Sequence, residues 1–141
     1  MKKLLFPTLL IVLSLILSSS FLIKTQTKAQ TGSNLSQSEA DLMVRTHNKW
    51  RNQVGSPNVK WSDEVARSAQ KWADELGRRG CAMEHSAESK YGENVFWSSG
   101  SKRTAEYVTN SWAAEIKYYT KDTKMSYSNY GKSGHYNQMV W

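Results

Sequence analysis

Two stretches of this chain impose the same constraint. Met43, His47, Trp50 and Val54 follow one another at steps of four, three and four, and so do Val108, Trp112, Glu115 and Tyr119. That spacing gathers each set onto one stripe of an α-helix. The sequence therefore predicts two amphipathic helices, each with one ionisable residue on its core-facing side. An ionised group buried without a partner costs several kcal/mol or is neutralised by a pKa shift. The economical partners for His47 and Glu115 are each other, with Glu93 at a turn and His135 in the closing stretch Gly134-His135-Tyr136-Asn137-Gln138-Met139-Val140-Trp141. Two imidazoles and two carboxylates meeting in one cavity would satisfy one another and suit a divalent metal ion.

Around these stripes the local signals are clear. Ser36 followed by Glu39 forms a capping box, so the first helix is expected from about Gln37 to Val54, stopping before Gly55-Ser56-Pro57. Asn58 to Trp61 reads as a short extended link. Ser62 caps a second helix with Asp63 and Glu64 in its first turn, Val65, Ala69, Trp72, Ala73 and Leu76 as its core face, and Gly77 or Gly80 as its end. Asn94 to Trp97 resembles a short strand after the Gly92 turn. Ser101 or Thr104 caps a third helix, roughly Ala105 to Tyr119. Thr120 to Ser133 is polar and reads as a long loop, of the kind that is usually functional or mobile.

The N-terminus has a different character. Met1-Lys2-Lys3, an apolar run from Leu4 to Leu17 and a serine triplet follow the order of a secretory signal peptide, here residues 1–29, with residues 30–36 as a linker and the folded domain at 37–141. An uncleaved membrane anchor is the alternative, because residues 4–23 are about long enough to span a bilayer. The formal charge of +7 shrinks without the leader's four lysines to +3, from fifteen Lys and Arg against twelve Asp and Glu. The basic pI is thus no argument for nucleic-acid binding, and only a weak attraction to anionic surfaces is expected. A single cysteine, Cys81, is unexpected in an exported protein. It is either a buried free thiol or half of a pair whose other half lies beyond the chain.

The ordered set Thr46-His47-Asn48 with Arg51, Val59-x-Trp61, Ala69-Gln70-x-Trp72-Ala73, Gly92-Glu93-Asn94-Val95, Trp112-x-x-Glu115-x-x-Tyr118-Tyr119 and Gly134-His135-Tyr136-x-Gln138-Met139-Val140-Trp141 resembles the CAP superfamily of cysteine-rich secretory proteins, antigen 5 and pathogenesis-related class 1 proteins. The resemblance covers nearly all of residues 37–141. It implies an α+β fold, an α-β-α sandwich with a small antiparallel sheet between helices. It also implies that His47, Glu93, Glu115 and His135 are the family's cavity tetrad, with the two histidines as ligands of zinc or another divalent cation and the glutamates in support. His85 fits the family pattern outside the tetrad and reads as structural. Asn137 departs from the family, which usually has a small hydroxyl residue there. The family continues past this tryptophan into further strands and a Cys-rich signature, so a chain incomplete at its C-terminus, lacking its last strands, is expected.

The function implied is that of a secreted, extracellular binder of lipid or sterol, or a partner in defence or host interaction, more a binding protein than an enzyme. The helix faces and the Tyr127 to Gly131 stretch are the expected lining of an apolar groove. A metal-dependent hydrolase or protease with Glu93 or Glu115 as general base is the competing reading. An inactive fragment is the third.

Overall fold

The structure, a computed structural model, describes residues 31–87, 90–120 and 127–141. The leader expected at residues 1–29 lies outside them. Helix α1 (Gln37–Gln53) starts as its capping box predicts: the Ser36 hydroxyl accepts from the Glu39 N–H at 3.3 Å and the Ser36 N–H donates to Glu39 Oε2 at 2.9 Å. Helix α2 (Asp63–Arg78) is capped by Ser62 and helix α3 (Ala105–Ala113) by Thr104, each through a side-chain oxygen that takes up an otherwise unpaired backbone N–H. Gly77 lies inside α2. Gly80 and Cys81 follow its end in left-handed conformation, and the Cys81 N–H returns to the Leu76 carbonyl at 2.7 Å.

The third helix is shorter than its stripe suggests. It passes at Ala114 into a 3-10 segment, Ala114–Tyr118, that carries Glu115. A 3-10 turn keeps residues three apart on one side as an α-helix does, so apolar spacing alone does not separate the two. Helix α4 (Tyr127–Val140) replaces the later part of the loop expected over 120–133. Residues 121–126 of that loop lie outside the described residues. With Gly131 and Gly134 in its interior, α4 has poor intrinsic propensity, and tertiary contacts hold it.

The sandwich with a central sheet is overturned: among the described residues the fold is helical and contains no strand. A strand exists through the ladder bonds of a neighbour, and here side chains meet those groups instead. Trp112 Nε1 donates to the Val95 carbonyl at 3.3 Å inside the expected Asn94 to Trp97 strand. The Asn48 amide accepts from the Val59 N–H at 2.8 Å and donates to its carbonyl at 3.0 Å.

Helices α1, α3 and α4 pack on one another around Ala113, Tyr136, Met139 and Val140, with Trp50, Val54, Trp112 and Tyr119 at the margin. Helix α2 stands farther off and approaches no other described helix as closely as α1, α3 and α4 approach one another. Its expected core face is therefore only partly buried. Leu76 is covered and Trp72 half-buried, but Val65, Ala69 and Ala73 are exposed. Among the described residues no helix is long and apolar enough to cross a membrane.

Candidate functional site

The three-helix side of the molecule carries the ionisable groups. His47 projects from α1, and its Nδ1 lies 2.8 Å from the Met43 carbonyl. A carbonyl only accepts, so Nδ1 carries the hydrogen and Nε2 the lone pair. Burial pushes the His47 pKa down, as Arg51 does to a lesser degree, against the opposing pull of the Met43 carbonyl. The ring is thus kept neutral at neutral pH, the form that binds metal.

His135 projects from α4 and is oriented by Glu115. The carboxylate reaches ring Nδ1 with Oε1 at 2.7 Å, and its Oε2 accepts from the backbone N–H groups of His135 at 2.9 Å and Tyr136 at 3.3 Å. Trp112 of α3 is a ring neighbour of both histidines. Its ring is stacked against His135 at 6.4 Å and 19°, and meets His47 at 6.4 Å and 61°. The sequence placed Trp112 on a core stripe; its contact with both histidines shows only in the structure.

Glu93 is aimed elsewhere. Its Oε1 lies 2.7 Å from His85 Nδ1 and accepts the Ser86 N–H at 3.0 Å. The turn that carries it is still locked to α4, because Asn94 Nδ2 donates to the His135 carbonyl at 3.0 Å. Gly92 abuts the Gln138 side chain so closely that a Cβ would collide with it. Three of the four expected residues thus gather about Trp112, while Glu93 pairs with His85, the histidine set aside as structural. The only sequence signal for that pair was its place just ahead of the Gly-Glu-Asn turn.

The donor set bears on the metal that the resemblance implies. Both His47 and His135 have Nδ1 engaged by an oxygen, the arrangement that fixes a metal-binding imidazole and presents Nε2. That much fits. Among the described residues, however, no three His, Cys, Asp or Glu converge closely enough to hold an ion. The residues present therefore offer at most two imidazole donors, His47 and His135, among the described residues.

A groove of about 460 Å³ opens between α2 and the layer formed by α3 and the 93–97 segment. Leu76, Trp72, Phe96, Trp97, Val108 and Trp112 are among the residues that line it, and Glu93 is the one charged residue among its described lining. A smaller slot of about 260 Å³ lies between α1 and α2, lined by Met43, Val59, Trp61, Val65 and His47. Both exist because α2 stands off from the helical core. The Tyr127 to Gly131 stretch, expected to line a groove, forms the start of α4.

Comparison with known proteins accords with the ordered motifs. The chain is 32% identical over 103 residues to the STS14 protein of Solanum tuberosum, covering 72% of this chain and 48% of that protein. It is 38% identical over 64 residues to the pathogenesis-related protein PR-1 of Medicago truncatula, 45% of this chain and 36% of that one. Venom allergen 5 of Dolichovespula arenaria is 35% identical over 60 residues, 40% of this chain and 30% of the allergen. The chain thus spans less than half the length of these relatives. No solved structure matches significantly. Residues 44–141, well over half of the chain and including all four tetrad positions, match CAP, the Cysteine-rich secretory protein family, and to that family the chain belongs.

Proposed function

We propose that this chain is an extracellular, defence-related binding protein that holds a lipid or sterol in the groove between α2 and α3. The groove itself carries the reading: a preformed apolar concavity with few polar groups on its wall is the usual form of a small-molecule site. The apolar order of residues 1–29 supports export, and relatives named as pathogenesis-related proteins support the defence setting. Binding of a fluorescent sterol to the full chain, followed by titration and by quenching of the groove tryptophans, tests it. Saturable binding that Leu76→Asp weakens is the expected result. The absence of saturable binding to the intact chain overturns the reading.

His47 and His135 are the proposed ligands of a divalent ion, zinc first, with Glu115 orienting His135 and Glu93 in support. The engaged Nδ1 atoms favour this assignment. Zinc titration of the wild type against a His47→Ala/His135→Ala variant is expected to show loss of the tight site; unchanged affinity removes the assignment. A hydrolase with Glu93 or Glu115 as general base has less support. Glu115 already accepts on both oxygens, and Glu93 is tied to His85 and Ser86.

A further inference from the structure

The electrostatics of the groove run against those of the molecule. Without its leader the chain carries a formal charge of +3, fifteen Lys and Arg against twelve Asp and Glu, so its long-range field weakly favours anions. Yet among the described residues no lysine, arginine or histidine lines the groove, and the one charged side chain there is a carboxylate, Glu93. Both bonds to Glu93, from His85 and from the Ser86 N–H, fall on Oε1; Oε2 carries none among the described residues.

The same wall is rich in faces that attract cations. Trp72, Phe96, Trp97 and Trp112 line it, and indoles are the best aromatic partners for ammonium groups. Arg79, which lies outside the groove, already sits 5.9 Å from the Trp72 ring. Trp112 is stacked on His135, whereas Trp97 is 54% exposed and has no ring partner among the described residues. A carboxylate and an open indole on the wall of one apolar trough form the recognition chemistry of an alkylated ammonium with a hydrocarbon tail.

We propose that the groove selects amphiphiles with a cationic amine head, held by Glu93 and the face of Trp97, over neutral or anionic ones of equal chain length. This rests on the binding reading above and specifies the head group that the groove prefers. A fatty acid would bring its carboxylate against Glu93, so charge complementarity disfavours it. An alcohol would gain the apolar contacts alone.

The test uses the full chain and three probes of one tail length, dodecyltrimethylammonium, dodecanol and dodecanoate, each below its micelle-forming concentration. Affinities are read by calorimetry and by tryptophan fluorescence. The ammonium is expected to bind about tenfold more tightly than the alcohol, with dodecanoate weakest, in opposition to the net charge of the protein. Glu93→Gln, checked by circular dichroism for an unchanged helical spectrum, is expected to bring the ammonium-to-alcohol ratio to about one. Equal binding of ammonium and alcohol by the wild type overturns this inference and leaves the apolar-groove reading standing. So does a preference for dodecanoate, or a ratio that survives Glu93→Gln. If none of the three probes and no sterol binds, both fall together. The wild-type series decides the matter even if the variant does not fold.

Discussion

Glu115 holds His135 at two points: one carboxylate oxygen lies 2.7 Å from ring Nδ1, and the other accepts the residue's own backbone N–H at 2.9 Å. The 3-10 segment after α3 is thereby fastened to α4, a helix whose glycines give it little stability of its own. Glu115→Gln keeps one acceptor but turns an NH2 group toward a donor. It is expected to cost about 1–3 kcal/mol, the range for a hydrogen bond to a charged group left unmade. Urea unfolding measures this, and a loss in helical circular dichroism should accompany it. An unchanged midpoint would show that α4 does not depend on this clamp.

Arg51 ties the opposite end of the same helix. It is buried, and no carboxylate pairs with it among the described residues; its Nε donates to the Pro57 carbonyl at 2.7 Å and Nη1 to the Met139 carbonyl at 2.8 Å. A cation near the last carbonyls of a helix is also favoured by the helix dipole. Lysine has one donor group at the tip of a flexible stem and cannot span both carbonyls as the fork does. Arg51→Lys is expected to lose about 1–3 kcal/mol, read as a fall in the urea midpoint. A Lys variant as stable as the wild type would mean that the charge matters and the fork does not.

The extent to which the sequence foretold these arrangements follows from how local each one is. Ser36, Ser62 and Thr104 cap their helices through bonds that span three residues, and they stand where the sequence put them. The Glu115 to His135 pair was foreseeable because a carboxylate on an aromatic stripe must find a donor somewhere. The sheet was not a local matter at all. Asn94 to Trp97 has the composition of a strand, but strand formation needs a neighbouring chain segment, and here the Trp112 side chain takes the Val95 carbonyl instead. Helix α4 fails every local test, with two glycines and a polar first half, and it forms because Glu115, Asn94 and Arg51 bind its backbone. The exposed face of α2 follows from the same cause. Its stripe marks apolar residues correctly, but burial depends on what lies opposite, and that is a groove.

The start of α1 makes a prediction about pH. The Glu39 carboxyl is held at about 2, below its ordinary 4.5, first by the hydrogen bond from Lys102 and then by those from the backbone and hydroxyl of Ser36. Between those values the unfolded chain binds a proton that the native one does not. Stability from this group is complete above 4.5 and is lost as pH falls from there toward 2. Glu39→Gln can keep the cap geometry without the titration. Its urea midpoint should fall less than that of the wild type between about pH 5 and pH 3. Parallel profiles for the two proteins would remove Glu39 from the acid response.

Tyr136 is the large side chain at the centre of the core, fully buried, with its ring edge-on to Trp50 at 6.4 Å and to Tyr119 at 5.2 Å. Its hydroxyl has no hydrogen-bond partner among the described residues, and burial pushes its pKa up, with a smaller contribution from Tyr119. A phenol buried without a partner gives up its bonds to water and gains none in return. Tyr136→Phe keeps the ring and both edge contacts while removing the stranded group. The exchange is expected to stabilise the protein by about 1 kcal/mol, since an unmade buried hydrogen bond costs roughly that or more. It should also leave zinc and amphiphile affinity unchanged, because Tyr136 lines neither the groove nor the slot beside His47. Most core substitutions destabilise, so a rise in the midpoint is a demanding outcome. A fall of similar size would mean that the hydroxyl has a partner in solution, and the packing of α4 against α1 would then rest on a polar contact as well as on the fit of these rings.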